Sequence, residues 1–322
     1  MLASFHRRNT EIDSVHFLTP VNMLGGVLVR RMSSSPAMAE VVVMGGGLMG
    51  TGIAQIAAQT QHKVTLVDLN EGVLARSEKR IVDSLKRVAK KMFKDDQEAG
   101  EKFVAAGAGN ISYVTDSETS LGTADVVVEA ITEVLPLKQK LFKQWDQVCP
   151  EKTIFATNTS FLKVTDVMAN VERKDKCGGL HFFNPVPVMK LVEVVRTAET
   201  SDETYQKLMT FSKDIGKHPV TCRDTEGFIV NRLLGPYIGD AIAMVERGDA
   251  TYQDVDIAVK LGLGYPMGPF ELLDYTGIDL HKHINDNPEF PLRRASQLID
   301  QMVAEGKFGM KSGEGFYKYN KK

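Results

Sequence analysis

The chain has 322 residues, of which 25% are charged and 43% hydrophobic, and its formal net charge is −2. This length suffices for two domains with substantial cores, and so small a net charge provides no long-range attraction to nucleic acid or to an anionic membrane. Cys149, Cys177 and Cys222 are scattered without the spacing of a metal site, which predicts reduced thiols and no metal centre.

The N-terminal residues 1–38 differ in composition from the rest of the chain. Residues 14–39 contain no acidic side chain, and Arg30 and Arg31 precede a run of serines. Arginine-containing, serine-rich and acid-free segments are typical of transit peptides. Two acidic residues further upstream interrupt the pattern, so translation from Met23 and a disordered tail without a targeting role are both alternatives. We expect residues 1–38 to be a targeting or disordered segment outside the fold.

The first predicted strand, residues 40–44, leads into a glycine-rich segment. Residues 45–50 read Gly-Gly-Gly-Leu-Met-Gly and are followed by a helical pattern, and we call them the glycine loop. They fit G-x-G-x-x-G, in which Gly45 permits the tight turn, Gly47 the approach of a pyrophosphate and Gly50 close helix–strand packing. A helix that begins near Leu48 and Met49 would direct free N–H groups at that pyrophosphate. The pattern therefore predicts dinucleotide binding.

Asp68 ends the second predicted strand, residues 63–68. At this position an acidic residue accepts hydrogen bonds from a ribose 2′-OH and repels a 2′-phosphate. Strand, glycines, helix, strand and acid follow in the expected order, which predicts NAD rather than NADP. The uncharged residues 41–61 are better explained by this unit than by a membrane span, because their glycines, glutamines and threonines lower the hydrophobicity.

Helical and strand patterns alternate beyond Asp68. Strands are predicted at 111–114, 125–130 and 153–157, and helices near 70–93, 98–106 and 137–148. Such alternation predicts a parallel sheet with ligands at the carboxyl ends of its strands. Glu133 and the segment Asn158-Thr159-Ser160 follow two of these strands, although turn and cap residues are common at such ends.

A hairpin is predicted around Asn184-Pro185-Val186-Pro187, because two prolines cannot continue a strand ladder. The flanking runs, 179–183 and 189–196, are rich in β-branched and aromatic residues. His181 and Glu193 are equally far from Pro187 and should face each other across the hairpin. A carboxylate on one ring nitrogen prepares the other to act as a general base. A solvated His–Glu pair without such a role is the alternative.

The remaining patterns complete one domain and predict a second. A helix at 202–215 and a strand at 218–222 close an α/β, Rossmann-type doubly wound sheet domain, which we place at residues 39–223. Helical patterns dominate from there on, so an all-α C-terminal domain is expected at residues 224–322. Its predicted helices are 228–247, 251–261, 268–283 and 293–305.

Several separate motifs in order resemble the L-3-hydroxyacyl-CoA dehydrogenase family, from about residue 40 to the C-terminus. They are the glycine loop extended through Gly52-Ile53-Ala54, Asn158-Thr159-Ser160, the stretch from His181 to Val194, Gly227-Phe-Ile-Val-Asn-Arg232, the segment from Gly264 to Tyr275, and Lys311-Ser-Gly-Glu-Gly-Phe-Tyr317.

This resemblance implies a role for each matching residue. His181 would remove the 3-OH proton of the substrate with Glu193 as its partner, while Ser160 would bind the substrate oxygen and Asn231 would complete the site. The residues implied around NAD are the glycine loop with Leu48 and Met49, Asp68, Glu133, Lys138, Ser160, Asn184 and Lys311. Ser84 and Lys91 would contact the coenzyme A part of a 3-hydroxyacyl-CoA substrate, with Ser160 also at the substrate. From the residues alone, a basic run such as 84–91 is more often a solvated helix face, and only the resemblance favours coenzyme A binding.

The resemblance further implies a homodimer formed through the helical domain and a role in fatty-acid β-oxidation in the mitochondrial matrix. Two alternatives stay open at this point. A dehydrogenase of sugar acids such as gulonate would share the fold and the His–Glu pair, and a crystallin-like structural protein would bind NAD without catalysis. The second does not require His181, Glu193, Ser160 and Asn231, all of which are present.

Overall fold

The structure is a computed structural model that describes residues 39–286 and 294–319. The predicted targeting segment, residues 1–38, lies outside the described residues. Among those that are described, no helix is both long and apolar enough to cross a membrane.

The core of the fold is an eight-stranded sheet with the strand order β3-β2-β1-β4-β5-β6-β7-β8. Only β6 and β7 pair antiparallel, and the other neighbouring strands are parallel. The chain order reverses between β1 and β4, and in such sheets this switch point is where ligands bind. The strands are β1 Glu40–Met44, β2 Lys63–Val67, β3 Ile111–Val114, β4 Val126–Glu129, β5 Ile154–Thr157, β6 Cys177–Phe182, β7 Leu191–Arg196 and β8 His218–Arg223.

Helices cover both faces of the sheet, as the α/β pattern predicts. The central strands are apolar on both sides: in β1, Val41 and Val43 contribute to one buried cluster while Val42 contributes to another. The first cluster includes residues of α1, α2 and α7, and the second includes residues of α5 and α6. These helices are α1 Leu48–Ala58, α2 Glu71–Met92, α3 Gln97–Gly109, α4 Glu118–Leu121, α5 Leu135–Val148, α6 Val164–Val167 and α7 Asp202–Asp214. The predicted Rossmann-type domain is confirmed.

Most of the described residues after β8 are helical, and a separate buried cluster holds the helices together, with Ile242, Phe270 and Ile299 among its members. The helices are α8 Val230–Glu246, α9 Tyr252–Leu263, α10 Pro269–Thr276, α11 Ile278–Asp286 and α12 Gln297–Ala304. The prediction of one helix over 268–283 is wrong, because the helix is interrupted at Gly277. This residue has a φ of 109°, which is accessible to glycine and not compatible with a continuing α-helix, so α10 ends there.

Candidate active site

The glycine loop lies at the switch point, against the end of β4. Gly45 has a φ of 109°, and a Cβ there would lie 2.5 Å from the carbonyl oxygen of Ala130. A Cβ on Gly50 would lie 1.9 Å from the carbonyl oxygen of Gly45, so α1 packs directly on the loop. At Gly47, in contrast, a Cβ would meet no described atom within 4 Å. The loop therefore leaves open space at the N-terminus of α1, which fits the pyrophosphate of a dinucleotide.

Asp68 extends from the end of β2 toward this loop and is half-buried. Its carboxylate accepts a hydrogen bond from the backbone N–H of Gly46 at 2.9 Å and another from that of Asn70 at 3.0 Å. The side chain therefore anchors the glycine loop in addition to placing a negative charge beside it. This anchoring is a role that the sequence pattern did not predict.

Asp68→Asn should relax the preference for NAD over NADP, because the charge that repels a 2′-phosphate is lost while the side-chain shape is kept. Asp68→Ala should relax it similarly and also raise KM for NAD, because the hydrogen bond to Gly46 disappears. Measuring kcat/KM with both cofactors for the wild type and both variants checks this. A wild type that uses NAD and NADP equally well would contradict the assignment of Asp68.

His181 and Glu193 face each other across the β6–β7 hairpin in the predicted register. His181 Nδ1 donates to Glu193 Oε2 at 2.6 Å, and the two residues are 3% and 0% exposed. This burial rules out the solvated pair. Because the carboxylate faces Nδ1, the ring proton is on Nδ1 and the lone pair of Nε2 is free to accept another. The rings of Phe183 and Phe228 pack against the imidazole, with centroids 4.5 and 5.5 Å away.

The second carboxylate oxygen of Glu193 connects this pair to the helical part of the chain. It accepts hydrogen bonds from the backbone N–H groups of Ile229 and Val230, at 3.1 and 2.9 Å, where α8 begins. Free N–H groups at a helix N-terminus stabilise a negative charge. One oxygen of Glu193 is thus held by α8 while the other orients His181.

The turn after His181 is clamped from two sides. Lys217 Nζ donates to the carbonyl oxygen of Met189 at 2.7 Å and also to that of Val186. On the other side α1 approaches so closely that a Cβ on Gly52 would lie 2.7 Å from Val186 Cβ. These contacts hold Asn184 in place. Burial lowers the pKa of Lys217 to about 8, and no pattern in the sequence distinguishes this lysine from the many surface lysines.

A buried ionic network lies beside the glycine loop. Lys138 is 1% exposed, and its Nζ lies 2.5 Å from Glu129 and 3.0 Å from Glu133. Glu129, a residue that the sequence motifs did not single out, is itself fully buried and also accepts from the hydroxyl of Thr157. A strand of apolar residues that ends in Glu129 was the available signal. Lys138 lies behind Glu133 and is absent from the described cavity lining.

Glu133 and Asn231 hold the segment after β5 from opposite sides. One oxygen of Glu133 accepts from the backbone N–H of Ser160 at 3.0 Å and from the hydroxyl of Thr159. Asn231, in the first turn of α8, donates to the carbonyl oxygen of Ser160 at 2.9 Å. The backbone of Ser160 is thus fixed by both parts of the chain, which orients its hydroxyl group.

These residues surround one cavity of about 530 Å³ between the sheet and the helices that follow it. The described lining includes six of the expected site residues: Met49, Glu133, Ser160, His181, Asn184 and Asn231. The cavity thus contains a base with a free ring nitrogen, a hydroxyl group and amide groups, and it reaches the glycine loop through Met49. This arrangement can bind an alcohol or ketone and move a proton to or from it.

Ser84, Lys91 and Lys311 are among the expected site residues that lie outside the described lining of this cavity. Ser84 and Lys91 are on α2, where they share one helix face, and Lys91 is exposed. Lys311 is also exposed, and its Nζ lies 2.5 Å from the carboxylate of Asp279 at the start of α11.

Two family models match the chain in succession. Residues 40–225 match "3-hydroxyacyl-CoA dehydrogenase, NAD binding domain", and residues 227–319 match "3-hydroxyacyl-CoA dehydrogenase, C-terminal domain". Among curated relatives, the mitochondrial hydroxyacyl-coenzyme A dehydrogenase of Homo sapiens is 55% identical over 87% of this chain and 91% of that protein. A probable 3-hydroxybutyryl-CoA dehydrogenase of Bacillus subtilis is 38% identical over 88% of this chain and 98% of that protein.

The structure has a solved counterpart as well. The crystal structure of (S)-3-hydroxybutyryl-CoA dehydrogenase from Ralstonia eutropha aligns with a TM-score of 0.77 at 37% identity, over 87% of this chain and 99% of that one. These matches give no support to a sugar-acid dehydrogenase or to a structural protein. The chain therefore belongs to the 3-hydroxyacyl-CoA dehydrogenase family and is an NAD-dependent oxidoreductase.

Proposed function

We propose that this protein oxidises the 3-hydroxyl group of (S)-3-hydroxyacyl-CoA thioesters to a 3-oxo group. The observation that carries the proposal is the buried His181–Glu193 pair, because its imidazole lines a cavity that is also lined by Ser160 and Asn231 and that reaches the NAD-binding loop. The relatives named above act on CoA thioesters, as their names state.

In the proposed mechanism His181 is the general base. Its Nε2 takes the proton of the 3-hydroxyl group, and the imidazolium so formed is stabilised by the carboxylate of Glu193, 2.6 Å away. Because α8 holds that carboxylate at its other oxygen, the pair does not need to rearrange when the charge develops. In the reverse direction the imidazolium returns the proton to the ketone oxygen.

The remaining cavity residues orient the reactants. The hydroxyl group of Ser160 binds the substrate oxygen, and Asn231 and Glu133 fix the backbone that carries it. NAD, held by the glycine loop, Asp68, Glu133 and Asn184, supplies the hydride acceptor when bound. We propose that Lys138 acts on the cofactor only indirectly, by holding Glu133, and that Lys311 reaches it only after leaving Asp279.

The test is NADH formation by the purified full chain with (S)-3-hydroxybutyryl-CoA, compared with free (S)-3-hydroxybutyrate and with L-gulonate. We expect rapid NADH formation with the thioester and little with the other two. Faster NADH formation with gulonate than with the thioester would overturn the proposal, and so would NAD binding without turnover of any of the three.

We propose that Ser84 and Lys91 on α2 contact the coenzyme A part of the substrate. Lys91→Glu should raise KM for the acyl-CoA several-fold with little change in KM for NAD, because an exposed ammonium that attracts the CoA phosphates becomes a repelling carboxylate. Lys79→Glu, on another face of the same helix, is the control for the change in net charge. If both substitutions changed KM for the acyl-CoA equally, the face of α2 that carries Lys91 would be a solvated surface without a role in coenzyme A binding.

We further propose a homodimer formed through the helical domain. Ile257 and Leu261, one turn apart on α9, are 50% and 83% exposed, and Leu233 on α8 is 69% exposed. Large apolar side chains exposed on helices of one domain favour a protein–protein contact there. Sedimentation equilibrium should give the mass of two chains, and a monomer mass at micromolar concentration would refute the dimer.

The domain limits and the location in the cell also belong to the proposal. We assign residues 39–223 to the NAD-binding domain and residues 224–322 to the helical domain, since β8 ends at Arg223 and α8 begins at Val230.

The mitochondrial matrix and a role in β-oxidation are supported by the composition of residues 1–38 and by the mitochondrial relative. A reporter fused to residues 23–38 should enter mitochondria, and Arg30→Glu with Arg31→Glu should prevent this.

A further inference from the structure

The part of the cavity wall formed by α8, α10 and α11 is largely apolar. Its described apolar residues are Leu234, Ile238, Leu272, Leu273, Leu280 and Ile284. An aliphatic chain that extends from a carbinol at His181 can bury its methylene groups against this surface. Three polar residues of α11, His281, His283 and Asn285, belong to the same wall and have no part in the proposed proton transfer.

His281 and Asn285 form a hydrogen-bonded pair one helical turn apart. Asn285 Oδ1 accepts from the backbone N–H of Arg294 at 2.8 Å, which identifies its Nδ2 as the amide donor. That Nδ2 lies 3.0 Å from His281 Nε2 and 2.9 Å from the carbonyl oxygen of His281. Since an amide nitrogen only donates, His281 Nε2 accepts, and the ring proton is on Nδ1.

The His281 ring is therefore neutral and contributes one N–H donor, on Nδ1, to a wall that also contains six apolar side chains. Burial lowers the pKa of His281 to about 4, in agreement with this state. A buried N–H that loses its water without gaining another acceptor costs free energy, and a methylene chain offers no acceptor. A short acyl chain leaves water beside the imidazole, whereas a long chain displaces it.

We propose that His281, oriented by Asn285, is a determinant of acyl-chain length that disfavours long 3-hydroxyacyl chains relative to short ones. The inference depends on the proposed function, because it assumes that the cavity receives an acyl chain. It assigns to two residues of α11 a role in specificity and none in the chemical step.

The experiment compares kcat/KM for four-carbon and sixteen-carbon (S)-3-hydroxyacyl-CoA substrates, the longer one below its micelle concentration. The variants are His281→Leu, which is apolar, and His281→Gln, which keeps a polar donor at the same position. The wild type should prefer the four-carbon substrate. His281→Leu should raise the ratio of sixteen-carbon to four-carbon kcat/KM by about tenfold, the effect of no longer stranding one buried donor. His281→Gln should leave that ratio close to the wild-type value.

Two results would overturn the proposal: a wild type that uses the sixteen-carbon substrate as well as the four-carbon one, or equal ratios for His281→Leu and the wild type. The first needs no variant, so the proposal can be refuted even if His281→Leu folds poorly. Failure of the proposed function looks different, because the wild type would then form no NADH with either thioester.

Discussion

His181→Gln should lower kcat by about 10²–10⁴, the usual contribution of a positioned general base. The substituted amide cannot take up the hydroxyl proton, and no other described residue of the cavity is paired with a buried carboxylate in the way His181 is with Glu193. The glycine loop and Asp68 are unchanged in this variant, so the affinity for NAD should stay near that of the wild type. Steady-state kinetics and NAD titration by fluorescence give the two quantities.

The control for this variant is the midpoint of thermal unfolding. The imidazole packs against Phe183 and Phe228, and a glutamine of similar length should retain most of that packing. A stable, NAD-binding variant that keeps kcat within a few-fold of the wild type would show that His181 is not the base.

Glu193→Gln should also lower kcat by at least about 10²-fold, because it changes the tautomer of His181. The backbone N–H groups of Ile229 and Val230 need an acceptor, so they orient the carbonyl oxygen of the new amide toward α8. Its NH₂ group then faces His181 Nδ1, which must become the acceptor. The ring proton moves to Nε2, and the nitrogen that should receive the substrate proton is already protonated.

The same geometry provides a matched control. Glu193→Ala would leave both N–H groups of α8 without a partner and should lower the midpoint of thermal unfolding, whereas Glu193→Gln should preserve it. The double variant of His181→Gln and Glu193→Gln should be little slower than His181→Gln alone, because residues that share one catalytic task lose activity non-additively. Additive losses in kcat would show that the two residues act independently.

Much of the site follows from local sequence patterns. The order of strand, glycines, helix, strand and acid predicted the NAD-binding unit, because its turn and its helix N-terminus are formed by consecutive residues. The hairpin register also follows from local geometry, since residues equally far from a turn lie opposite each other. The pairing of His181 with Glu193 is therefore predictable from the positions of the two prolines and the flanking strands.

Other parts of the site depend on residues far apart in the chain. Glu129 is the last residue of an otherwise apolar strand. Its carboxylate is tolerated there only because Lys138, in the helix that follows, is buried against it. Lys217 lies far beyond the turn whose carbonyl groups it binds. The break at Gly277 was missed because the flanking helical patterns continue without interruption on either side, and only the backbone angle reveals it.

The sheet domain, the helical segment after it, the NAD-binding loop and the His181–Glu193 pair could be predicted from sequence, because periodicity, turn chemistry and strand register are properties of neighbouring residues. The surroundings of that pair depend instead on how distant segments pack together. This packing brings Ile229 and Val230 to the second oxygen of Glu193, Asn231 to Ser160 and His281 into the cavity wall. These contacts join the sheet to the helical part of the chain. Hydrogen bonds between segments so far apart leave no period or spacing in the sequence from which they could be predicted.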